Sequence, residues 1–248
     1  MYINDIHILY YVAAAFIGAI VGYFVCWCNE RLPEYKKVFS KEILKKEKRP
    51  EANYAIMIVN AILYVALLYF CGIGKGFVGN LSLIKFGLLI PMLLSALVID
   101  YKLQIIPNRL NLTMFEIGLI FTFIYGIINI NVGIDMLLGG LAGAGIFLVI
   151  TLLGGLIAGK EAMGFGDVKL MGALGLYFGL SNIIVISVLS FLIGAIASII
   201  LIVTKIKKTD EYIPFGPFIV ISTFIVMFVP FGILLNILLE IFTLGTYK

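Results

Sequence analysis

The chain has 248 residues, of which 62% are hydrophobic and only 13% are charged, and its mean hydropathy is +1.13. A water-soluble domain of this length could not bury so much apolar surface, whereas a membrane protein with many spans requires it. The net charge of +4 comes from basic residues that cluster between apolar runs, which indicates membrane topology and no nucleic-acid partner. The composition predicts an all-α, polytopic integral membrane protein whose helices contact the lipid bilayer.

Apolar runs along the chain predict about eight transmembrane helices. Their approximate bounds are 6–28, 54–72, 82–99, 110–129, 133–158, 167–181, 183–204 and 214–242. The sixth run is short, and at about 1.5 Å per residue it barely crosses a bilayer. No basic region precedes the first run, so we interpret it as a retained helix and not as a cleaved signal peptide.

The basic residues lie mostly on alternate loops. Of the 18 Lys and Arg residues, 15 lie in or next to the joins between runs one and two, three and four, five and six, and seven and eight. The positive-inside rule makes these loops cytoplasmic and places both chain termini outside. The loop at 29–53 is a short polar connector, expected to be solvated near anionic headgroups. The predicted division is therefore 1–53, a helix with its connector, and 54–248, the remaining membrane helices.

Metal ligands are scarce in the sequence. Cys26, Cys28 and Cys71 form no C-x-x-C pair, and His7 is the only histidine. A structural zinc site usually needs four thiolate or imidazole ligands at close spacing. We therefore expect no metal site, and a mechanism that needs a histidine base is disfavoured.

Glycines are concentrated in the fifth run. Gly139 and Gly143 form a G-x-x-x-G pattern, which allows two membrane helices to approach closely. No G-K-[ST] follows, so the pattern is not a phosphate loop. We interpret it as helix packing.

Two aspartates lie at the ends of apolar runs. A carboxylate at such a place is unfavourable in lipid and usually has a functional role. Asp100 ends the third run, shortly before the turn at Pro107, and Asp167 opens the sixth. The loop assignment places both at the cytoplasmic side at similar depth. The alternative for each is an interfacial carboxylate that is simply solvated.

Two carboxylates that converge in a partly dehydrated site do not both ionise easily. One keeps its proton, and the other accepts a proton from water that attacks a carbonyl carbon. This reaction needs neither a metal nor a histidine. The residues therefore favour peptide hydrolysis at the cytoplasmic membrane surface, with Asp100 and Asp167 as the catalytic pair.

Four stretches resemble one family of enzymes. Gly164-Phe165-Gly166-Asp167 resembles the motif of the G-x-G-D membrane aspartyl proteases, and Asp100 before its Pro-Asn turn resembles the first aspartate of the bacterial type IV prepilin peptidases. The stretch 22–33 is similar to that family's G-S-F-L-N-V-x-I-x-R-L-P, and 213–218 is similar to its I-P-F-G-P-F/A. The resemblance implies catalysis by Asp100 and Asp167, with motif or backbone support from Gly164, Phe165, Gly166, Lys169, Pro214, Gly216 and Pro217.

The resemblance also implies an activity and a location. It implies an aspartic-type endopeptidase of the bacterial cytoplasmic membrane, with 54–248 as its peptidase core, that removes the leader peptide of type IV prepilins or pseudopilins at the cytoplasmic face. The implied partners are these substrates and the bilayer, with no nucleic acid, and proteolysis implies no cofactor.

Many members also methylate the new N-terminus from S-adenosylmethionine, and these commonly carry two C-x-x-C pairs in the first cytoplasmic loop. Residues 29–53 contain no cysteine, and Cys26 and Tyr23 replace the family's Asn and Ser. Methylation, with S-adenosylmethionine as its cofactor, is therefore left open, whereas the protease is expected.

Two alternatives belong to other classes. A presenilin- or signal-peptide-peptidase-like protease shares G-x-G-D, but it would have a tyrosine in place of Ile99 and a P-A-L near the C-terminus. A proton-coupled transporter would use Asp100, Glu116 and Asp167 as a proton path, and no inverted repeat supports it. Glu116 follows Arg109 by seven residues on one helix face, so an internal ion pair or hydrogen bond is its plainer interpretation.

Overall fold

The computed structural model describes residues 2–4, 6–38, 52–158, 163–205 and 213–243. The elements in these ranges are β1 (Tyr2–Ile3), β2 (Ile6–His7), α1 (Ile8–Arg31), α2 (Tyr54–Cys71), α3 (Gly76–Gly79), α4 (Leu81–Leu103), α5 (Asn108–Ile128), α6 (Ile130–Ala158), α7 (Phe165–Val203), α8 (Gly216–Phe228) and α9 (Phe231–Phe242). Most of the predicted connector 29–53 and much of the predicted loops near 159–167 and 205–213 lie outside the described residues. The predicted all-α membrane fold is confirmed, with one small antiparallel strand pair that the sequence did not predict.

Six of the described helices are long and apolar enough to cross a membrane: α1, α2, α4, α5, α6 and α7. Large hydrophobic side chains are exposed along them, such as Phe16 on α1, Phe123 on α5 and Leu141 on α6. So much exposed apolar surface is unfavourable in water, but in a bilayer these side chains meet acyl chains. The protein is therefore a multi-pass membrane protein.

The sixth and seventh predicted runs form one element, α7, which is 39 residues long and interrupted at Gly179. Gly179 has φ 75° and ψ 177°, a conformation that glycine adopts readily because it has no Cβ. The backbone N–H of Leu180 donates to Oδ1 of Asp135 on α6 at 3.2 Å. Asp135 thus caps the helical segment that restarts after Gly179, a role that the sequence analysis missed.

The eighth predicted run, 214–242, is divided into two helices. α8 ends at Phe228 and α9 begins at Phe231, just after Pro230. Proline lacks an amide hydrogen and disfavours the helical conformation of the residue before it, and Val229 is extended with φ −103° and ψ 129°. The expectation of one helix over this run was therefore wrong, and the total of about eight spans stays a prediction.

Packing divides the chain into two compact units, 1–102 and 103–248. In the first unit, α1 lies so close to α2 that a Cβ on Gly18 would be 2.7 Å from the Cα of Ala61. The Asn60 side chain, fully buried, donates to the Gly18 carbonyl oxygen at 2.6 Å. The Tyr64 hydroxyl donates to the Gly87 carbonyl oxygen at 2.7 Å and joins α2 to α4. The functional division expected after residue 53 stays a prediction.

In the second unit, α6 and α7 approach closely through glycines. A Cβ on Gly139 would lie 2.6 Å from the carbonyl oxygen of Gly175, and a Cβ on Gly143 would collide with the carbonyl oxygen of Met171. The packing role predicted for the G-x-x-x-G pattern is confirmed. Side chains larger than glycine at these positions would force the two helices apart.

The helix α5 is joined to α7 by buried hydroxyl groups. The Tyr177 hydroxyl donates to the Met114 carbonyl oxygen at 2.9 Å. The Thr122 hydroxyl is shared between the Gly118 carbonyl oxygen of its own helix at 2.9 Å and the Leu176 carbonyl oxygen of α7 at 3.3 Å. A buried hydroxyl is costly unless it is hydrogen-bonded. These bonds therefore favour one particular arrangement of α5 on α7, and that arrangement sets the positions of the first turns of both helices.

Candidate active site

The glycine motif forms the entry to α7. Gly164 is the N-cap, and the backbone N–H of Asp167 in the first turn donates to the Gly164 carbonyl oxygen at 3.0 Å. A Cβ built on Gly164 would lie 3.7 Å from Oδ2 of Asp167, so the carboxylate folds back toward the cap. Asp167 is only 4% exposed. The dipole of a helix stabilises a negative charge in the first turn, so the entry to α7 suits a carboxylate.

Gly166 lets α7 begin against the segment that precedes α5. A Cβ on Gly166 would be 3.3 Å from the Cβ of Ile106, a tight contact with a buried branched side chain. Phe165, by contrast, is half exposed. Of these two motif residues, Gly166 therefore has the packing role and Phe165 does not.

Asn111 on α5 contacts the motif directly. Its side-chain Nδ2 donates to the carbonyl oxygen of Gly166 at 3.0 Å, and the residue is 3% exposed. Within the described chain, Oδ1 of the same side chain has no hydrogen-bond partner. The sequence analysis did not select Asn111. The available signal was an amide side chain inside an apolar run, shortly after the Pro107 turn.

Lys169 forms a second link between the first turns of α5 and α7. Its Nζ donates to Oδ1 of Asn108 at 2.8 Å, and both side chains are exposed. The lysine that the family resemblance selected is therefore held at the entry to α7, two residues after Asp167.

A groove of about 460 Å³ opens beside these residues. It is lined by Asn108, Asn111, Leu112, Phe115, Ala144, Val168, Lys169 and Gly172. Binding sites for small molecules typically have volumes of about 300–1,000 Å³ and mostly apolar walls with a few polar groups. The groove has this character, and two of its residues directly follow Asp167 in the chain.

Asp100 lies in the last turn of α4 and is 4% exposed. Its neighbour Ile99 is also buried, whereas Tyr101 is exposed. A buried carboxylate in an apolar membrane helix is rare and usually functional. Asp100 belongs to the first packing unit and Asp167 to the second, and the catalytic pairing of the two stays a prediction.

The remaining predicted residues lie at the start of α8. Pro214 is buried just before the helix, and Gly216 and Pro217 are buried in its first turn, where proline is well tolerated. Between them the Phe215 ring packs on the Phe191 ring of α7, with ring centroids 5.1 Å apart. These residues support the α7–α8 contact. The acidic residue considered on α5, Glu116, is exposed.

The described residues contain no group of three or more His, Cys, Asp or Glu side chains that could hold a metal ion. The single histidine has another role, because Nδ1 of His7 accepts the Leu9 backbone N–H at 3.3 Å and caps α1. The expectation of a metal-free protein stays a prediction.

Residues 87–199 match the sequence profile of the Type IV leader peptidase family. The matched range begins within α4 and ends within α7, so it contains both Asp100 and Asp167. The motif-like stretches at 22–33 and 213–218 lie outside it.

Curated relatives share the name prepilin leader peptidase/N-methyltransferase. The protein of Aeromonas hydrophila is 30% identical over 177 residues, which are 71% of this chain and 58% of the relative. That of Escherichia coli (strain K12) is 31% identical over 132 residues, 53% of this chain and 57% of the relative. That of Legionella pneumophila is 37% identical over 139 residues, 55% of this chain and 47% of the relative. The chain spans about half the length of these relatives. No solved structure matches it.

The helical membrane fold and the G-x-G-D entry to α7 define a polytopic membrane protein with a buried aspartate at the start of a helix. Its segment 87–199, somewhat less than half of the chain, is similar to the Type IV leader peptidase family.

Proposed function

We propose that this protein is a membrane aspartyl endopeptidase that removes the leader peptide of type IV prepilins or pseudopilins. One observation carries the proposal: both buried aspartates, Asp100 and Asp167, fall inside the segment that matches the leader peptidase family. The names of the relatives supply the substrate class. The scarcity of histidine agrees with a mechanism in which carboxyl groups move the protons.

In the proposed mechanism, Asp100 and Asp167 act on the same peptide bond. Asp167, in the first turn of a helix, is the carboxylate that takes a proton from the attacking water. Asp100, in the last turn of α4, carries a proton and donates a hydrogen bond to the carbonyl oxygen of the scissile bond. The water oxygen bonds to the carbonyl carbon, and the carbon–nitrogen bond then breaks as Asp167 passes the proton it took from the water to the leaving amine nitrogen.

We propose that the groove beside Asp167 binds the apolar segment of the substrate. Its walls, including Leu112, Phe115 and Val168, are apolar, and Val168 directly follows the proposed base. A peptide segment in this groove would bring its flanking bond near Asp167. The face at which this occurs is proposed to be cytoplasmic, with both termini outside, because of the division of the basic residues.

Methylation of the new N-terminus is not part of this proposal. S-adenosylmethionine carries a positively charged sulfonium and a ribose whose hydroxyl groups are commonly bound by a carboxylate. The groove beside Asp167 has no carboxylate in its lining and contains the ammonium of Lys169. Its residues do not fit that cofactor, and we derive no methyl-transfer step there.

The activity is tested with the purified protein in proteoliposomes and a synthetic peptide that carries a prepilin leader and the start of its apolar segment. We expect one cut at the end of the leader, detected by mass spectrometry of both products. A peptide that stays intact in the presence of correctly folded protein contradicts the proposal. Coupled uptake of a solute with no cleavage would favour the transporter instead.

A further inference from the structure

The peptide group between Gly166 and Asp167 is held on both of its sides. On one side, its carbonyl oxygen accepts a hydrogen bond from Nδ2 of Asn111 at 3.0 Å. On the other, its N–H donates to the carbonyl oxygen of Gly164 at 3.0 Å. A peptide group is planar, and its plane includes the Cα of Asp167. Fixing both of these polar groups therefore fixes the position of that Cα.

The orientation of the Asn111 side-chain amide at the Gly166 carbonyl oxygen follows from its hydrogen-bonding chemistry. A carbonyl oxygen can only accept, so the amide nitrogen of Asn111 must face Gly166. The side chain is 3% exposed and lies in a helix of mostly apolar residues. A buried amide in such a place is unfavourable unless it is hydrogen-bonded. A leucine would fill the same space and would not have to bury polar atoms, so packing alone does not explain an asparagine at this position.

We propose that Asn111 is a positioning residue for Asp167. It acts through the Gly166 carbonyl oxygen and holds the G-x-G-D turn at the place where Asp167 meets the water and the scissile bond. This inference rests on the proposed peptidase function. Misplacement of a reacting group by about 1 Å can cost about 100-fold in rate, so loss of this bond is expected to change turnover more than substrate binding.

The first unit provides a matched control. Asn60 is also fully buried in an apolar helix, and its Nδ2 also donates to a glycine carbonyl oxygen across a helix pair, that of Gly18 at 2.6 Å. Its Oδ1, like that of Asn111, has no partner within the described chain. The two bonds have the same chemistry, but only the Asn111 bond ends on the G-x-G-D motif.

The test compares Asn111→Leu with Asn60→Leu in proteoliposomes, with kcat, KM and the thermal unfolding midpoint as readouts. Both variants are expected to lower the unfolding midpoint by similar amounts. Only Asn111→Leu should lower kcat, by roughly 10–100-fold, with KM within about 2-fold of wild type. Equal losses of kcat in both variants, or an Asn111→Leu variant that keeps its kcat, would overturn the inference.

A second variant serves if Asn111→Leu does not fold. Asn111→Asp keeps the shape of the side chain, but its ionised form has no donor for Gly166. As the pH falls and the new carboxyl gains a proton, an O–H donor returns, and the kcat relative to wild type at the same pH should rise. Among the charged residues, Asp167 directly follows Gly166, Lys169 lines the same groove as Asn111, and Arg109 precedes Asn111 by two residues on α5. A pH-independent ratio contradicts the positioning role.

The same assay separates this inference from the proposed function. If Asp167→Asn still cleaves the substrate at the wild-type rate, the peptidase assignment itself fails. If Asp167→Asn is inactive while Asn111→Leu keeps its kcat, the assignment stands and only the positioning role is lost.

Discussion

Nζ of Lys169 lies 2.8 Å from Oδ1 of Asn108, so a side chain in the first turns of α7 is bound to the first residue of α5. A second bond joins the same two helices about one turn away, where Nδ2 of Asn111 donates to the backbone carbonyl oxygen of Gly166. The two bonds differ in burial: the Lys169 bond is exposed and the Asn111 bond is partly buried. The start of α7 is thus held by an outer bond that competes with water and an inner bond that competes with it less.

A double-mutant cycle measures the outer bond. Asn108→Ala, Lys169→Met and the double variant are expected to give a coupling of less than about 1 kcal/mol in the free energy of unfolding, because both side chains are solvated in the unbonded state. Lys205 is an exposed lysine near the end of the same helix, so Lys205→Met combined with Asn108→Ala should be additive. A coupling of several kcal/mol for the Lys169 pair would show that this bond is buried when the protein is in a membrane.

The proposed catalytic pair is tested by Asp100→Asn and Asp167→Asn. Each is expected to reduce leader cleavage by roughly 100-fold or more, since neither remaining carboxyl can act as both acid and base. Both proteins should still insert into the membrane, because asparagine has the same shape and is less costly in lipid. Cleavage in membranes is followed by the size shift of the substrate.

The matched control for the aspartates is Glu116→Gln, which neutralises an exposed carboxylate on α5. Its effect should be much milder. Near-normal cleavage by either aspartate variant would refute the pair, and complete loss in the glutamate variant would mean that the wrong carboxylates were chosen.

The groove beside Asp167 is tested by filling it. Leu112 is 56% exposed on its wall, so Leu112→Trp can place a larger ring there without disturbing the core. We expect KM to rise several-fold for a substrate with its apolar segment, and to stay unchanged for a short peptide that ends before that segment. Ile120 is similarly exposed on the same helix but lies outside the groove lining, so Ile120→Trp should leave both KM values unchanged. Equal effects of the two variants exclude the groove as the binding site.

Asp135 is expected to stabilise the fold without taking part in catalysis. It accepts the Leu180 N–H where α7 restarts after Gly179, and removal of such a cap typically costs about 1 kcal/mol. Asp135→Ala should lower the free energy of unfolding by about that amount, and Asp135→Asn, which keeps an acceptor, should lower it less. Thermal unfolding in detergent provides the measurement. A stability unchanged by Asp135→Ala would show that the cap is not formed in the membrane protein.

The sequence predicted the membrane fold and the packing glycines because both depend on local composition: long apolar runs predict helices, and Gly139 with Gly143 predicts a close contact. The division of the last apolar run could also have been predicted, because Pro230 breaks a helix, but the search for apolar runs did not take it into account. The runs 167–181 and 183–204 predicted a division close to Gly179. The positive φ of that glycine was not readable, because glycines inside membrane helices usually pack against a neighbour.

Asn111 and Asp135 were missed for a different reason. Their partners, Gly166 and Leu180, are 55 and 45 residues away in the chain. A hydrogen bond between such distant positions depends on how α5 and α6 pack on α7, and a single sequence contains no direct signal of that packing. Asp167 was found because its own neighbours, two glycines, form a recognisable motif.

The last prediction concerns metal. The part of the chain that the structure describes has no cluster of ligands for a metal ion, and residues 29–53 contain no cysteine or histidine. A stable zinc site generally needs four such ligands. Cleavage is therefore expected to continue at an unchanged rate in a strong chelator, since carboxyl groups alone move the protons in the proposed mechanism. Elemental analysis of the purified protein should find far less than one zinc per chain, with a zinc-binding protein purified in the same way as the positive control. Stoichiometric zinc, or loss of cleavage that returns when zinc is added back, would require ligands from residues that the sequence analysis treated as a simple solvated connector.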